Sequence, residues 1–227
     1  MDLSIPLRSF FSDIESRAFL ALDSVASGMT GRQVAEVIHS NSPSHVRRAL
    51  RKLENLGLVT SRQVGNAYVY ETNKEHILWP IIQAINSSTE IFKQQIRELI
   101  EASTVPNATV WLYGSTVRKT SISKSDIDLV LIVPEETSNE ALNELTAELS
   151  SCGELWTGNE TNVYGISEQG LLYREEQQDP LFDSWMKEAI PIIGPSIQDL
   201  IQALHEQNSK VEHTSNSRTS TASGKVS

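Results

Sequence analysis

Between Trp111 and Val133 the chain reads Trp-Leu-Tyr-Gly-Ser-Thr-Val-Arg-Lys-Thr-Ser-Ile-Ser-Lys-Ser-Asp-Ile-Asp-Leu-Val-Leu-Ile-Val. These are residue types that handle phosphate and divalent metal. Ten residues separate Ser115 from Asp126, and Asp126-Ile127-Asp128 runs directly into an apolar stretch. In a strand, residues i and i+2 point to the same face, so Asp126 and Asp128 are expected side by side. Adjacent carboxylates repel unless a cation lies between them. Hard oxygen ligands with open positions favour Mg²⁺ held together with substrate phosphates. Gly114 lets a backbone approach phosphate closely, and Ser115 offers a hydroxyl and an amide at an expected helix N-terminus. Arg118 and Lys119 follow one turn later and are placed to neutralise triphosphate charge.

The elements that must position these groups follow from hydrophobic pattern and turn signals. Residues 109–113 and 127–133 read as strands. Residues 138–151 read as a helix with Ala141, Leu142, Leu145 and Leu149 inward. A third strand is expected at 161–166, helices at 169–173 and 180–189, a short apolar strand or turn at 190–193, and a last helix at 197–204. After Glu206 almost nothing is apolar, and the composition predicts a disordered tail over 205–227.

Upstream, residues 12–26 carry Ile14, Phe19, Leu20, Leu22 and Val25 at roughly helical spacing. A second helix is expected over 31–38 with Val34, Val37 and Ile38 inward. A third is expected over 44–56 with Val46, Leu50 and Leu53 inward, with Ser42 as N-cap and Pro43 at its first position. Strands over 58–62 and 67–72 flank a hairpin tip at Gly65-Asn66. Three helices and a β-hairpin are the plan of a winged helix. The third helix sets His45, Arg47, Arg48, Arg51 and Lys52 against one acid, Glu54. Such a face suits phosphate and guanine contacts in double-stranded DNA, with Arg62 of the first wing strand reaching a flanking phosphate. A solvated face in a protein-binding winged helix is the alternative. Residues 75–102 read as one long helix, with a break expected near Trp79-Pro80. Its apolar stripe would pack against a twin in a homodimer or against its own neighbouring domain.

The Gly-Ser, ten-residue gap and Asp-x-Asp pattern resembles the nucleotidyltransferase superfamily, with its DNA polymerase β-like fold, and within it the minimal nucleotidyltransferases. The segments Thr30-Gly-Arg-Gln-Val-Ala35, Val46-Arg-Arg-Ala-Leu50, Leu53-Glu-Asn-Leu-Gly-Leu-Val59 and Asn73-Lys-Glu-His76 resemble winged-helix proteins fused to this domain in bacteria and archaea. The resemblances imply an α+β chain: a winged helix over 1–74, a linker helix over 75–103, and a nucleotidyltransferase fold over 104–204 with a small mixed sheet flanked by helices. They imply transfer of a nucleoside monophosphate from a nucleoside triphosphate to a hydroxyl, with two Mg²⁺ ions bridging the aspartates and the triphosphate. Family members usually place a third carboxylate on a later strand. The aligned residue here is Asn162, whose amide cannot act as a general base. Glu160, two residues earlier, is the candidate substitute. Transfer and nucleotide binding without turnover both stay open. So do three roles: a DNA-binding regulator with a nucleotide-handling domain, an enzyme of a toxin–antitoxin or defence module modifying a protein or tRNA, and a scaffold with an inactive transferase fold.

Bulk properties narrow these readings. The net charge is −10, yet residues 1–78 hold 9 Lys/Arg against 8 Asp/Glu, while residues 79–227 hold 10 against 21. The N-terminal third is therefore the part that phosphate backbones do not repel. No apolar run approaches the roughly 20 residues that span a bilayer. The N-terminus lacks a secretory pattern. The single cysteine, Cys152, cannot form an internal disulfide, so a cytoplasmic location is expected. His39, His45 and His76 are too scattered to suggest a metal site.

Overall fold

A computed structural model describes residues 1–118 and 125–222, with side chains described as far as Lys210. Lys119, one of the expected nucleotide-binding residues, lies outside the described residues. The architecture is α+β, with two separate sheets. The described residues fall into two compact units, which divide between Ile91 and Phe92.

The first unit holds helices α1 (Asp13–Asp23), α2 (Gly31–Val37) and α3 (Pro43–Asn55), and a three-stranded antiparallel sheet. Strands β2 (Val59–Val64) and β3 (Ala67–Thr72) form the hairpin, and the two-residue β1 (Met29–Thr30) pairs on the other side of β3. The hairpin has the expected tip, while β1 is too short for a periodic signal. Phe19, Leu22, Val34, Val46, Leu50, Leu53, Leu58 and Val59 are buried together, with Tyr70 of β3 closing the sheet side. Val37, expected inward, is 50% exposed because α2 ends there and its inner face is already supplied by Val34 and Ile38. Ser42 occupies the N-cap of α3 without a capping bond. Its hydroxyl instead lies 3.2 Å from that of Ser44.

The segment expected as one linker helix is two helices, α4 (Trp79–Asn86) and α5 (Ser88–Ala102). Pro80 sits in the first turn of α4, where its missing N–H costs nothing, so the expected break is instead a helix start. Ile82 of α4 joins the core of the first unit. Phe92, Ile96 and Ile100 of α5 are buried in the second, where Phe92 meets Trp156 edge-on at 6.3 Å. The apolar stripe read as one linker face is thus divided between two cores.

The second unit is built on a four-stranded sheet in the order β6-β5-β4-β7. Strands β4 (Thr109–Tyr113) and β7 (Ile190–Ile193) run antiparallel, as do β4 and β5 (Ile127–Val133). Strands β5 and β6 (Thr161–Ser167) are parallel, joined by α6 (Asn139–Thr157), as a parallel pair requires. Both faces of β5 are covered, which is why it reads as an unbroken apolar run. Trp111, Val130 and Ile132 pack under α7 (Glu168–Glu176), α8 (Pro180–Glu188) and α9 (Ile197–Ala222), together with Leu171, Phe182, Trp185 and Ile201. Alternation places Asp128 on this same face of β5 and turns Ile127, Leu129 and Leu131 to the other. Helix α9 continues well past residue 204, where the sequence predicts a tail without order. Its early turns are tied by His205 to Glu175 at 2.7 Å and by Gln202 to Glu206 at 3.1 Å. Among the described residues no helix is long and apolar enough to cross a membrane.

A charged tie fastens α1 to α3. Glu15 closes a capping box with Ser12 and accepts a hydrogen bond from Lys52 Nζ, with a closest approach of 2.9 Å. Burial alone would raise its carboxyl pKa, but Lys52 and the Ser12 amide outweigh burial and hold it below the ordinary range. A depressed folded pKa gives stability that is full above the unfolded value, roughly 4.3, and is lost as pH falls through the folded pKa. Glu15→Gln keeps the capping geometry and removes the charge. Because the Lys52 end is 58% exposed and screened, the expected cost is about 0.5 kcal/mol at neutral pH. The difference from wild type should disappear in acid, as read by urea unfolding followed by helical circular dichroism at a series of pH values.

Candidate functional site

Three neighbouring strands bring the site together through their register. Tyr113 on β4 pairs with Asp128 on β5, and Asp128 pairs with Asn162 on β6. Asp128 is half-buried, and burial is the main reason its carboxyl pKa is raised. The Asn162 amide, which donates to Asp128 Oδ1 at 3.4 Å, counters that rise. Asp126 and Glu188 add to it, and Arg118 opposes it. Tyr113 is also pushed up, first by burial and then by the Asp128 carboxylate.

Gly114 ends β4 with φ +78°. A Cβ built there would lie 2.4 Å from Asp128 Oδ2. Glycine is required twice over, by its backbone conformation and by the carboxylate against it. The sequence expects a helix to begin at Ser115. The described residues there, which stop at Arg118, form one turn closed by the Arg118 N–H donating to the Gly114 carbonyl at 3.1 Å.

Asp126 lies just ahead of β5 with an exposed side chain. The backbone on either side of it is pinned. Asn159, 4% exposed, donates from Nδ2 to the Ser125 carbonyl at 2.8 Å, and the Ile127 N–H donates to the Glu160 carbonyl at 2.9 Å. Glu160 thus contributes its backbone at this point. Its side chain is exposed, one residue before β6. The residue abreast of Asp128 is Asn162. Among the described residues, no three of His, Cys, Asp and Glu are grouped to hold a metal ion.

Arg118 reaches across to the last residue of α8. Its Nη1 donates to both oxygens of Glu188, at 2.6 and 2.7 Å. Burial would raise the Glu188 pKa, but hydrogen bonds from Arg118 and Ser184, with a further one from the Gly114 backbone, bring it below the usual range. Sequence reading missed Glu188 and Asn159. They lie 70 and 34 residues from the groups they hold, and no local pattern announces them.

The donor set fits Mg²⁺ in one specific way. Asp126 and Asp128 repel each other, and Asp128 Oδ2 takes the space that a Cβ on Gly114 would need. Mg²⁺ is commonly held by one or two carboxylates with substrate phosphates and waters filling the remaining positions.

In the first unit, the expected DNA-facing residues divide. Arg47 and Arg51 line a groove between α2, α3 and the hairpin, together with His39, Glu54, Tyr68 and Tyr70. His45 and Arg48 are exposed. Lys52 is turned to Glu15, and Arg62 pairs with Glu71 across the hairpin at 3.2 Å.

Residues 91–189 match the family model of the nucleotidyltransferase domain. Among solved structures, a toxin–antitoxin with AMP-PNP is 17% identical, covering 58% of this chain and 95% of its own, with TM-score 0.35. A tri-AMPylated HEPN toxin of Shewanella oneidensis in complex with MNT antitoxin is 16% identical, covering 59% and 95%, with TM-score 0.33. TrmBL2, an archaeal chromatin protein with a novel mode of DNA binding, is 16% identical, covering 80% and 75%, with TM-score 0.29. No curated protein matches the chain.

The opposed carboxylates and the glycine against them give a stability signature. Gly114→Ala should cost about 1–3 kcal/mol, through the left-handed backbone and the contact with Asp128. Adding Asp128→Asn, which leaves the contact but removes its charge, should recover only part of that loss. Mg²⁺ at millimolar concentration should raise the melting temperature of the wild type and leave Asp126→Asn/Asp128→Asn unmoved. Differential scanning fluorimetry checks both, and an equal shift in the double variant would remove the metal assignment.

Proposed function

We propose that residues 104–204 bind a nucleoside triphosphate with Mg²⁺ at Asp126 and Asp128, and that residues 1–74 are a winged helix that binds double-stranded DNA. The chain then reads as a DNA-binding regulator carrying a nucleotide-handling domain. The observation that carries the nucleotide reading is the placement of Asp128 on β5 between Gly114, just after β4, and Asn162 of β6.

Bound Mg²⁺ would supply charge neutralisation and phosphate orientation. The chain's own groups do the rest. Asp126 and Asp128 would hold that Mg²⁺. Gly114 admits the phosphates close to backbone, beside the Ser115 hydroxyl and amide, and Arg118 supplies a fixed positive charge, joined by Lys119 in the same segment. Asn162 orients Asp128 but cannot accept a proton at neutral pH. Glu160 is the nearest residue in sequence offering a carboxylate for that role. This donor set supports nucleotide binding better than rapid transfer.

Equilibrium binding of labelled ATP, CTP, GTP and UTP tests the reading. We expect Mg²⁺-dependent binding of at least one, weakened tenfold or more in Asp126→Ala/Asp128→Ala. Undiminished binding by that variant overturns it. Incubation of the same labelled nucleotides with cell extract distinguishes a regulator from an enzyme acting on a protein or tRNA, because only the enzyme leaves label on a macromolecule. If Asn162 limits transfer, Asn162→Asp should raise any such labelling by a factor of ten or more.

The DNA reading rests on Arg47 and Arg51 lining an open groove beside Tyr68 while Lys52 and Arg62 are paired within the fold. Arg47→Ala/Arg51→Ala should weaken binding to the gene's own promoter at least tenfold and lower the salt-dependence slope by about 2. Lys52→Ala should change affinity by less than threefold. Electrophoretic mobility shifts over a salt series decide it, and a fully retained slope in the double variant removes the recognition-helix assignment.

A further inference from the structure

We infer that Glu188 is a built-in competitor for the triphosphate: its carboxylate occupies the guanidinium of Arg118 at the Gly114 turn, and a nucleoside triphosphate binds by displacing it. The inference rests on the nucleotide reading above and deepens it.

Three observations converge on Glu188. First, both of its oxygens are taken by one nitrogen of Arg118, the guanidinium at the turn where phosphate is expected. Second, the Arg118 N–H closes that same turn onto the Gly114 carbonyl at 3.1 Å, so the guanidinium that Glu188 holds belongs to the glycine turn itself. Third, Ser184 donates to Glu188 Oε1 at 3.1 Å from one helical turn earlier, holding the carboxylate over the turn. A carboxylate and a phosphate oxygen pair satisfy the same donors with similar geometry, so the two compete for them.

The mechanics allow release without unfolding. Trp185 is fully buried and anchors α8 in the core beside Tyr113 and Tyr164, at centroid distances of 6.1 and 5.2 Å. Glu188 is the last residue of that helix, and Ala189 after it is already extended, with ψ 135°. Rotation of the Glu188 side chain therefore breaks no helical hydrogen bond. Arg118 is 51% exposed while Glu188 is 16% exposed. An incoming phosphate can reach the guanidinium from solvent before the carboxylate leaves.

The rival account is that Glu188 holds Arg118 in the orientation that phosphate needs. The two accounts predict opposite signs. Under competition, Glu188→Gln frees Arg118 and tightens binding by roughly fivefold, the scale expected of a partly exposed ion pair of about 1 kcal/mol. Under positioning, the same variant binds more weakly.

The experiment is isothermal titration of wild type, Glu188→Gln and Asp183→Asn with Mg²⁺ and each of ATP, CTP, GTP and UTP, and with Mg²⁺ and inorganic tripolyphosphate. Asp183, exposed on the same helix, controls for loss of one negative charge and should stay within twofold of wild type. The expected gain in Glu188→Gln appears with both the nucleotide and tripolyphosphate, because the competition is at phosphate and not at the base. Circular dichroism confirms that each variant is folded. Equal or weaker binding by Glu188→Gln, or the same gain in Asp183→Asn, overturns the inference while leaving nucleotide binding intact. Absence of binding by wild type and Glu188→Gln alike overturns the nucleotide reading itself.

Discussion

The second unit depends on one adjacency: the carboxylate of Asp128 lies between a glycine that has no side chain to meet it and an asparagine amide that donates to it. A half-buried carboxylate pays for lost hydration, and a second acid two residues away worsens the balance. The strand register answers this by offering one hydrogen bond from β6 and open space from β4. Shifting either pairing by one residue would turn Asp128 against a neighbour of the wrong face, since side chains alternate along a strand. The alternation of side chains along β5 therefore fixes both the core contacts and the position of the acid. Leu129 and Leu131 are fully buried on one side, and Val130 and Ile132 on the other.

Much of this was legible in the sequence, for identifiable reasons. The strand at 127–133 coincides with β5 because seven residues of nearly unbroken apolar character, preceded by acids, admit few alternatives. The family resemblance aligned Asn162 with a third carboxylate; its pairing with Asp128 comes from the sheet register. What escaped was tertiary. The Arg118–Glu188 pair spans 70 residues, and Asn159 grips Ser125 across 34. The linker was misjudged for a different reason. A helical apolar stripe reports that a face is buried but not against what, and Ile82 and Phe92 of neighbouring helices serve separate cores.

The same logic separates the cations of the first unit. A basic face on α3 looks uniform as a list of residues, yet the fold assigns its members different partners. Lys52 serves the joint with α1 through Glu15, and Arg62 serves the hairpin through Glu71. Arg47 and Arg51 line the groove. Charge count alone cannot make this distinction, because a paired cation contributes little net field to an approaching phosphate while a groove-lining one contributes most of its charge.

In the second unit the electrostatics explain why an amide rather than an acid sits beside Asp128. Arg118 is engaged by Glu188 at 2.6 Å, so its charge is largely spent there and reaches Asp128 only as a lesser influence. Asp128 is left with burial, Asp126 and Glu188 all disfavouring its ionised form. A third carboxylate at 162 would add to that repulsion, whereas the Asn162 amide reduces it. The two carboxylates nearest the turn consequently diverge: Glu188 is drawn below its ordinary pKa by the guanidinium it holds, and Asp128 is driven above its own. On the nucleotide reading proposed above, a cation arriving with its own phosphates would reverse both conditions, compensating Asp126 and Asp128 and bringing an anion for Arg118. The pairing of a neutral 162 with an acidic 188 is therefore coherent for a site whose resting state carries its own anion.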